Sequence, residues 1–205
     1  MEQRVNNTKW LVMNYPTRSM AERASMSLEA FENFYFTVCT LDYAKLSVEM
    51  KKLAALMEKT ETVRITGKDT DLRLSIKDIP VIVCDGKINL PDGEVFTAPL
   101  RDSVNGHITF NTPSVYQGKT YEDISFTVKD GQIVEATGSD PDGINSILDT
   151  DAGARFFGEF AIGVNPAIVH PMKDTLFDEK ITGSIHITPG KAYDDAFNGN
   201  VSAIH

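Results

Sequence analysis

The sequence predicts an α+β fold: an N-terminal helical segment followed by an antiparallel, β-rich region. Three observations carry this. Apolar residues recur every three or four positions up to Lys59, apolar and polar residues alternate after it, and turn dipeptides divide the later part. Residues 10–13 are strand-like and end before Pro16. Nothing ahead of them can pair locally, so this strand is expected to belong to a sheet built elsewhere. Ser19 with Glu22 three residues on suggests a capping box for a first short helix. Leu28, Phe31, Phe34, Tyr35 and Val38 form one face of a second helix. A third follows Asp42, with a core stripe of Leu46, Met50, Leu53 and Met57 that is too short for a coiled coil.

Beyond Lys59, residues 62–66 and 71–76 read as half-buried strands joined by a turn at Gly67. Residues 79–84 form an unbroken apolar run, expected as a more buried strand. Residues 87–95 contain Asp92-Gly93, a hairpin signal, and residues 124–128 and 133–137 flank a second one at Asp130-Gly131. Asp140-Pro141 pairs an N-cap with proline at the first helical position, ahead of Ile144, Ile147 and Leu148. A strand over residues 181–188 closes the pattern.

Composition excludes several function classes. The 205 residues carry 29 acidic and 20 basic side chains, a net charge of −9. Such an acidic chain, with pI ≈ 4.9, is not expected to bind nucleic acid or an anionic membrane, which need clustered Lys and Arg. The start MEQRVNNTKW has no apolar secretory core, and no window approaches the roughly 18 apolar residues of a membrane span, so a cytoplasmic protein is expected. Cys39 and Cys84 fit no metal or redox spacing and read as buried small hydrophobes. Phosphate-loop, dinucleotide, α/β-hydrolase and HExxH signatures are absent.

What remains is a set of acids and histidines in the β-rich part. Glu94, in PDGEVFTAP, would ordinarily be a solvated hairpin charge, but Val95, Phe96, Ala98 and Pro99 would bury the strand around it. Glu159, in GEFAIGVNP, has the same apolar surroundings, where a partnerless carboxylate is costly. His186 lies mid-strand between two isoleucines. Glu179, in DTLFDEK, reads alone as a surface acid, and Tyr193 as a packing aromatic; His107 and His170 have weaker cases still. Two acids in apolar strands plus a strand histidine suggest carboxylate–imidazole coordination, which suits zinc, cobalt or manganese better than calcium.

The segments YPTRSMAERASMSLEAFENF, TDLRLSI, NLPDGEVFTAPLRDSVNG, LDTDAGARFFGEFAIGVNP, DTLFDEKITGSIHI and GKAYDDAFNGN follow one another across residues 9–205. With them the chain resembles the catalytic portion of the thermophilic-type metalloaminopeptidases, the family of aminopeptidase T, aminopeptidase S and PepS. GEVFTAP with a downstream FDE, His and Tyr is a specific combination. The resemblance implies two divalent metal ions (zinc, cobalt, manganese or magnesium) that act on peptides with a free N-terminus and release their first residue. It also implies a homodimer.

Position by position, Glu94 matches a carboxylate metal ligand, Glu159 the acid between the ions, and His186 and His205 histidine ligands. Glu179 and Tyr193 match site members acting as ligand, proton carrier or transition-state donor, so Glu159, Glu179 and Tyr193 are the implied catalytic set. In the family the second histidine opens a His-x-Asp motif, whose Asp has no counterpart after His205, and a large α/β domain precedes the helices. Residues 1–16 are therefore expected to be a remnant strand of that domain, 17–60 the helical segment and 61–205 a shortened catalytic domain. The alternatives are a non-catalytic oligomerisation or binding fragment with an incomplete metal site, and an amidase-type hydrolase using the same metals.

Overall fold

The computed structural model describes residues 7–204, so His205 lies outside the described residues. The first helix, α1 (Arg18–Arg23), is capped by Thr17, whose hydroxyl oxygen accepts the Met20 amide; the cap is thus Thr17 rather than the expected Ser19. Ser27 and Asp42 cap α2 (Leu28–Cys39) and α3 (Tyr43–Met57) in the same way, each satisfying an amide of the first turn. A fourth helix, α4 (Pro141–Leu148), begins behind Asp140, and a short α5 spans Thr175–Asp178. The helix-first order therefore holds for α1 to α3 only, since α4 and α5 lie among the strands.

Strand β1 (Val12–Met13) has a partner within the chain: it pairs in parallel with β5 (Asn89–Leu90). The next two strands, β2 (Thr62–Gly67) and β3 (Thr70–Ser75), form the predicted antiparallel pair. They join β7 (Asn105–Thr109), β10 (Ser125–Lys129) and β11 (Gln132–Thr137) in a five-stranded sheet of order β11-β10-β7-β3-β2. Between β10 and β11 the chain turns through Asp130 and Gly131, at φ 48° and 81°, the left-handed pair that a tight hairpin requires. A small hairpin links β8 (Ser114–Tyr116) and β9 (Lys119–Tyr121). The second large sheet has the order β13-β12-β6-β4, from β4 (Ile82–Cys84), β6 (Glu94–Thr97), β12 (Phe157–Gly163) and β13 (Ile185–Pro189).

Asp92-Gly93 does not form the expected hairpin turn. Its carboxylate is buried and accepts the amides of Gly86 and Gly93, so it braces the loop between β4 and β6. The Asp92 amide donates to the Tyr43 hydroxyl, and Asn165 donates to the Asp92 carbonyl. A hairpin signal has become a tertiary clamp.

The main core lies between the sheets. Leu72, Leu74, Val128 and Ile133 meet Val95, Phe160 and Ile187 there, with Met50 and Met57 of α3 and Ile144 and Leu148 of α4 closing the sides. A second cluster joins α1 and α2 to the long connection between β12 and β13. Phe177 of α5 packs among Phe31, Phe34 and Tyr35, at ring centroid distances of 6.1, 5.7 and 6.3 Å. The N-terminal helices therefore hold this connection down. Among the described residues no helix is long and apolar enough to cross a membrane.

Phe177 is fully buried, and its removal leaves a cavity that three aromatic neighbours cannot fill by small shifts. Phe177→Ala is expected to cost about 3–5 kcal/mol in urea denaturation, and a loss below about 1 kcal/mol would show that α5 is not anchored there.

Candidate metal centre

Strand register places the candidate residues. Glu94 lies opposite Gly163, Ala161 opposite both Phe96 and His186, and Glu159 opposite Thr188. Because side chains alternate along a strand, Glu94, Glu159, His186 and Thr188 share one face of the four-stranded sheet. Val95, Phe160 and Ile187 point the other way, into the main core. One irregularity is essential to this. Phe157 pairs with Pro189 and Glu159 with Thr188, so Gly158 is an extra residue on β12. That bulge lets Phe157 and Phe160 both enter the core while Glu159 keeps the opposite face.

The functional groups converge. Glu94 Oε2 lies 3.1 Å from His186 Nε2, and Glu159 Oε1 lies 3.6 Å from the same nitrogen. Ligand atoms of all three lie within 4.8 Å of one another. The carboxylates are buried, at 5% and 4% exposure. Thr188 donates its hydroxyl to Glu159 Oε2 at 3.1 Å, which leaves Oε1 turned towards His186. Despite their closeness, Glu94 Oε2 and His186 Nε2 do not meet in hydrogen-bond geometry, and neither has another partner among the described residues. Buried polar atoms normally find one. Converging, unpaired oxygen and nitrogen donors fit a divalent cation such as zinc, cobalt or manganese, and a ring nitrogen disfavours calcium.

A fourth group was not anticipated. Lys180 is fully buried, with Nζ 3.0 Å from Glu94 Oε1 and 2.6 Å from Glu179 Oε2. Its position follows from the strand beneath it. At Gly163 an added Cβ would come within 2.3 Å of the Ile181 carbonyl and 2.8 Å of that of Glu179, so only glycine lets residues 179–181 cross so closely over β12. The Lys180 amide donates to the Phe177 carbonyl, and its own carbonyl accepts the Asn165 amide. No local pattern in a polar stretch such as DEK marks a buried lysine; only the tertiary crossing does.

The charges shape one another. Burial alone would lower His186, but Glu159 and Glu94 outweigh it and push the imidazole up to about 10. Burial would raise Glu94, yet His186 and Lys180 hold it below the ordinary carboxylate range. Glu179 is raised by burial, with Lys180 working against that. Lys180 is raised in turn, because Glu94 and Glu179 overcome its desolvation. Tyr193 stacks on Phe96 at 5.1 Å, and burial together with Glu159, Glu179 and Glu94 holds its proton firmly.

A second group, Cys84, Asp92 and Glu94, also brings ligand atoms within 4.8 Å. It is a poorer cation site. Burial and the carboxylates keep the Cys84 thiol protonated, and both Asp92 oxygens already accept backbone amides. Cys84 is half-buried beside this acidic cluster rather than a plain core residue, and Cys39 is half-buried too. The structure thus brings Glu94, Glu159, Glu179, His186 and Tyr193 to one place, adds Lys180 and Thr188, and leaves His205 outside the described residues.

Known proteins share this arrangement of chain. Over the matched 110 residues it is 37% identical to Aminopeptidase 2 of Geobacillus stearothermophilus, covering 51% of this chain and 26% of that protein. The structure of wild-type AmpT from Thermus thermophilus superposes with a TM-score of 0.74 at 26% identity, over 87% of this chain and 51% of that one. A 2,5-dihydroxypyridine dioxygenase from Pseudomonas putida superposes with a TM-score of 0.63 at 13% identity, over 88% of this chain and 59% of that one, a likeness of fold alone. The chain spans only about a quarter to a third of the length of the curated aminopeptidases it matches. The sequence profile described as Thermophilic metalloprotease (M29) matches residues 1–204, and with the site geometry in place the chain belongs to that family.

Proposed function

We propose that this chain is the metal-holding portion of an aminopeptidase that releases N-terminal amino acids from peptides, with Glu94, Glu159 and His186 holding the metal. The observation that carries the reading is the convergence of these three donors, two of whose atoms have no hydrogen-bond partner among the described residues. A divalent ion held there (zinc, cobalt, manganese or magnesium) supplies Lewis-acid polarisation of the scissile carbonyl and a water ionised near neutral pH. The resemblance implies a second ion, with His205 among its ligands.

The chain's own residues account for the rest of the chemistry. Thr188 fixes one oxygen of Glu159, so the other is presented in a set orientation beside His186. With one oxygen on the metal and the other held by Thr188, Glu159 serves as a ligand, and taking a proton from water and returning it to the leaving amine falls to Glu179. Glu179, whose carboxyl burial raises while Lys180 works against that, is the group that carries this proton. Tyr193, whose proton is tightly held, acts as a hydrogen-bond donor to the developing oxyanion rather than as a base. The concentration of carboxylates attracts an α-ammonium group and disfavours a substrate carboxylate, which confines cleavage to the amino end.

Exhaustive chelation is expected to abolish release of the first residue from a free peptide, and zinc, cobalt or manganese to restore it. N-acetylated peptides should be refused; turnover that survives chelation, or equal turnover of blocked peptides, contradicts the proposal. Glu179→Gln, which leaves the three proposed metal ligands in place, should lower kcat by about 10²–10⁴ with little change in KM.

A linked proton offers a separate check. His186 is raised to about 10 in the metal-free chain, so it is protonated at about pH 8 and must lose that proton to act as a ligand. Titration calorimetry at about pH 8, in buffers of different ionisation enthalpy, should show close to one proton released per ion bound. Heats that do not depend on the buffer would remove His186 from the ligand set.

A further inference from the structure

We propose that Cys84, Asp92 and Glu94 form a separate, inhibitory cation site, selective for thiophilic divalent ions and in competition with the His186 centre for Glu94. The thiol site stands on its own geometry, and only its inhibitory effect rests on the metal centre proposed above. Register builds it. Cys84 of β4 pairs with Glu94 of β6, so both side chains leave the same face of the sheet. Asp92, two residues before Glu94, is held in place by the amides of Gly86 and Gly93. Ligand atoms of the three residues lie within 4.8 Å of one another. The two acids are buried, whereas Cys84 is half-buried and gives the group its solvent-facing side. An observation independent of the thiol also points to a cation. Glu94 Oε2 is buried without a hydrogen-bond partner among the described residues, and buried polar atoms normally have one.

Donor chemistry selects the ion. The protonated thiol and the engaged Asp92 oxygens make this group poor for a hard ion such as manganese. Neither feature stops a soft one. A carboxylate oxygen has lone pairs for an amide and a metal together, and a thiol that coordinates a metal ion is deprotonated outright. In the binding step the S–H bond breaks, a metal–sulfur bond forms and the proton passes to solvent, with no change of oxidation state. The thiolate so formed favours soft ions, while carboxylates suit harder ones.

The competition follows from Glu94. Its Oε1 already faces Lys180 Nζ at 3.0 Å, which leaves Oε2 as the oxygen free to bind an ion. That oxygen lies 3.1 Å from His186 Nε2. An ion on Cys84 that draws Oε2 towards itself takes a ligand from the His186 side, so each occupancy weakens the other.

The test uses cadmium as the thiophilic probe, on the whole chain with its thiols reduced, as wild type, Cys84→Ser and Cys39→Ser. Titrating the metal-free wild type and Cys39→Ser with Cd(II) should raise the ultraviolet thiolate-to-cadmium charge-transfer band, and Cys84→Ser should show none over the same range. No band in the wild type, or the same band in Cys84→Ser, overturns the site and leaves the His186 centre standing. Competition is read by paramagnetic resonance, as Mn(II) set free from the Mn(II)-loaded chain. Losing a metal ligand costs at least the roughly 10–100-fold in affinity that losing a ligand's orienting partner does, so Cys84→Ser should need at least about tenfold more Cd(II) than the wild type to release its Mn(II). Equal requirements overturn the inhibitory role. Mn(II) retained by neither chain overturns the His186 centre and the competition with it, while the cadmium band still decides the thiol site. Should Cys84→Ser fail to fold, Cys84→Ala, which suits the apolar neighbours Phe96 and Ala161, takes its place.

Discussion

Carboxylates held out of water on one face of a four-stranded sheet set the terms for everything around them. Glu94 and Glu159 are about 95% buried, and ions of like sign in such a place cost several kcal/mol each unless positive charge meets them. The site contains two answers to that demand. His186 and Lys180 flank Glu94 on its two sides, each facing a different oxygen. Thr188 satisfies what is left on Glu159. In this light the unpaired Oε2 and Nε2 atoms mark where a stronger cation belongs.

Much of the remaining architecture serves that neutralisation. The bulge at Gly158 turns Glu159 onto the site face without removing Phe157 or Phe160 from the core. Gly163 lowers the crossing segment until Lys180 reaches Glu94. Helices α1 and α2 stand outside the main core, yet they grip Phe177 and so fix the two residues that follow α5, Glu179 and Lys180. Asp92, Tyr43 and Asn165 tie the start of β6 to the end of β12 from a third side. Fold and site are coupled through short, specific backbone contacts, and the chemistry follows from the site rather than from the fold class.

Local signals in the sequence identified most of the periodic elements. The stripe of α3, the β2–β3 pair and the Asp130-Gly131 hairpin depend on neighbours a few residues away, and they formed as expected. Glu94, Glu159 and His186 were visible because a charge inside an apolar strand is conspicuous. Their meeting was expected from residue type and from the resemblance, but its geometry was not legible, since it depends on a register spanning three strands and on one bulge. Asp92-Gly93 misled for a related reason: the dipeptide favours a tight turn, but tertiary amides took the carboxylate and built a wider loop. Lys180 was invisible because acids, lysine and a turn side by side describe solvated surface. Its burial arises only from a chain crossing at Gly163, which lies far from it in sequence.

The most direct measurement of the central claim is anomalous diffraction from crystals of the chain grown with zinc or manganese. The account predicts a strong peak within bonding distance of Glu94 Oε2, Glu159 Oε1 and His186 Nε2. A peak at Cys84 and Asp92 instead, or none beside His186, would contradict it.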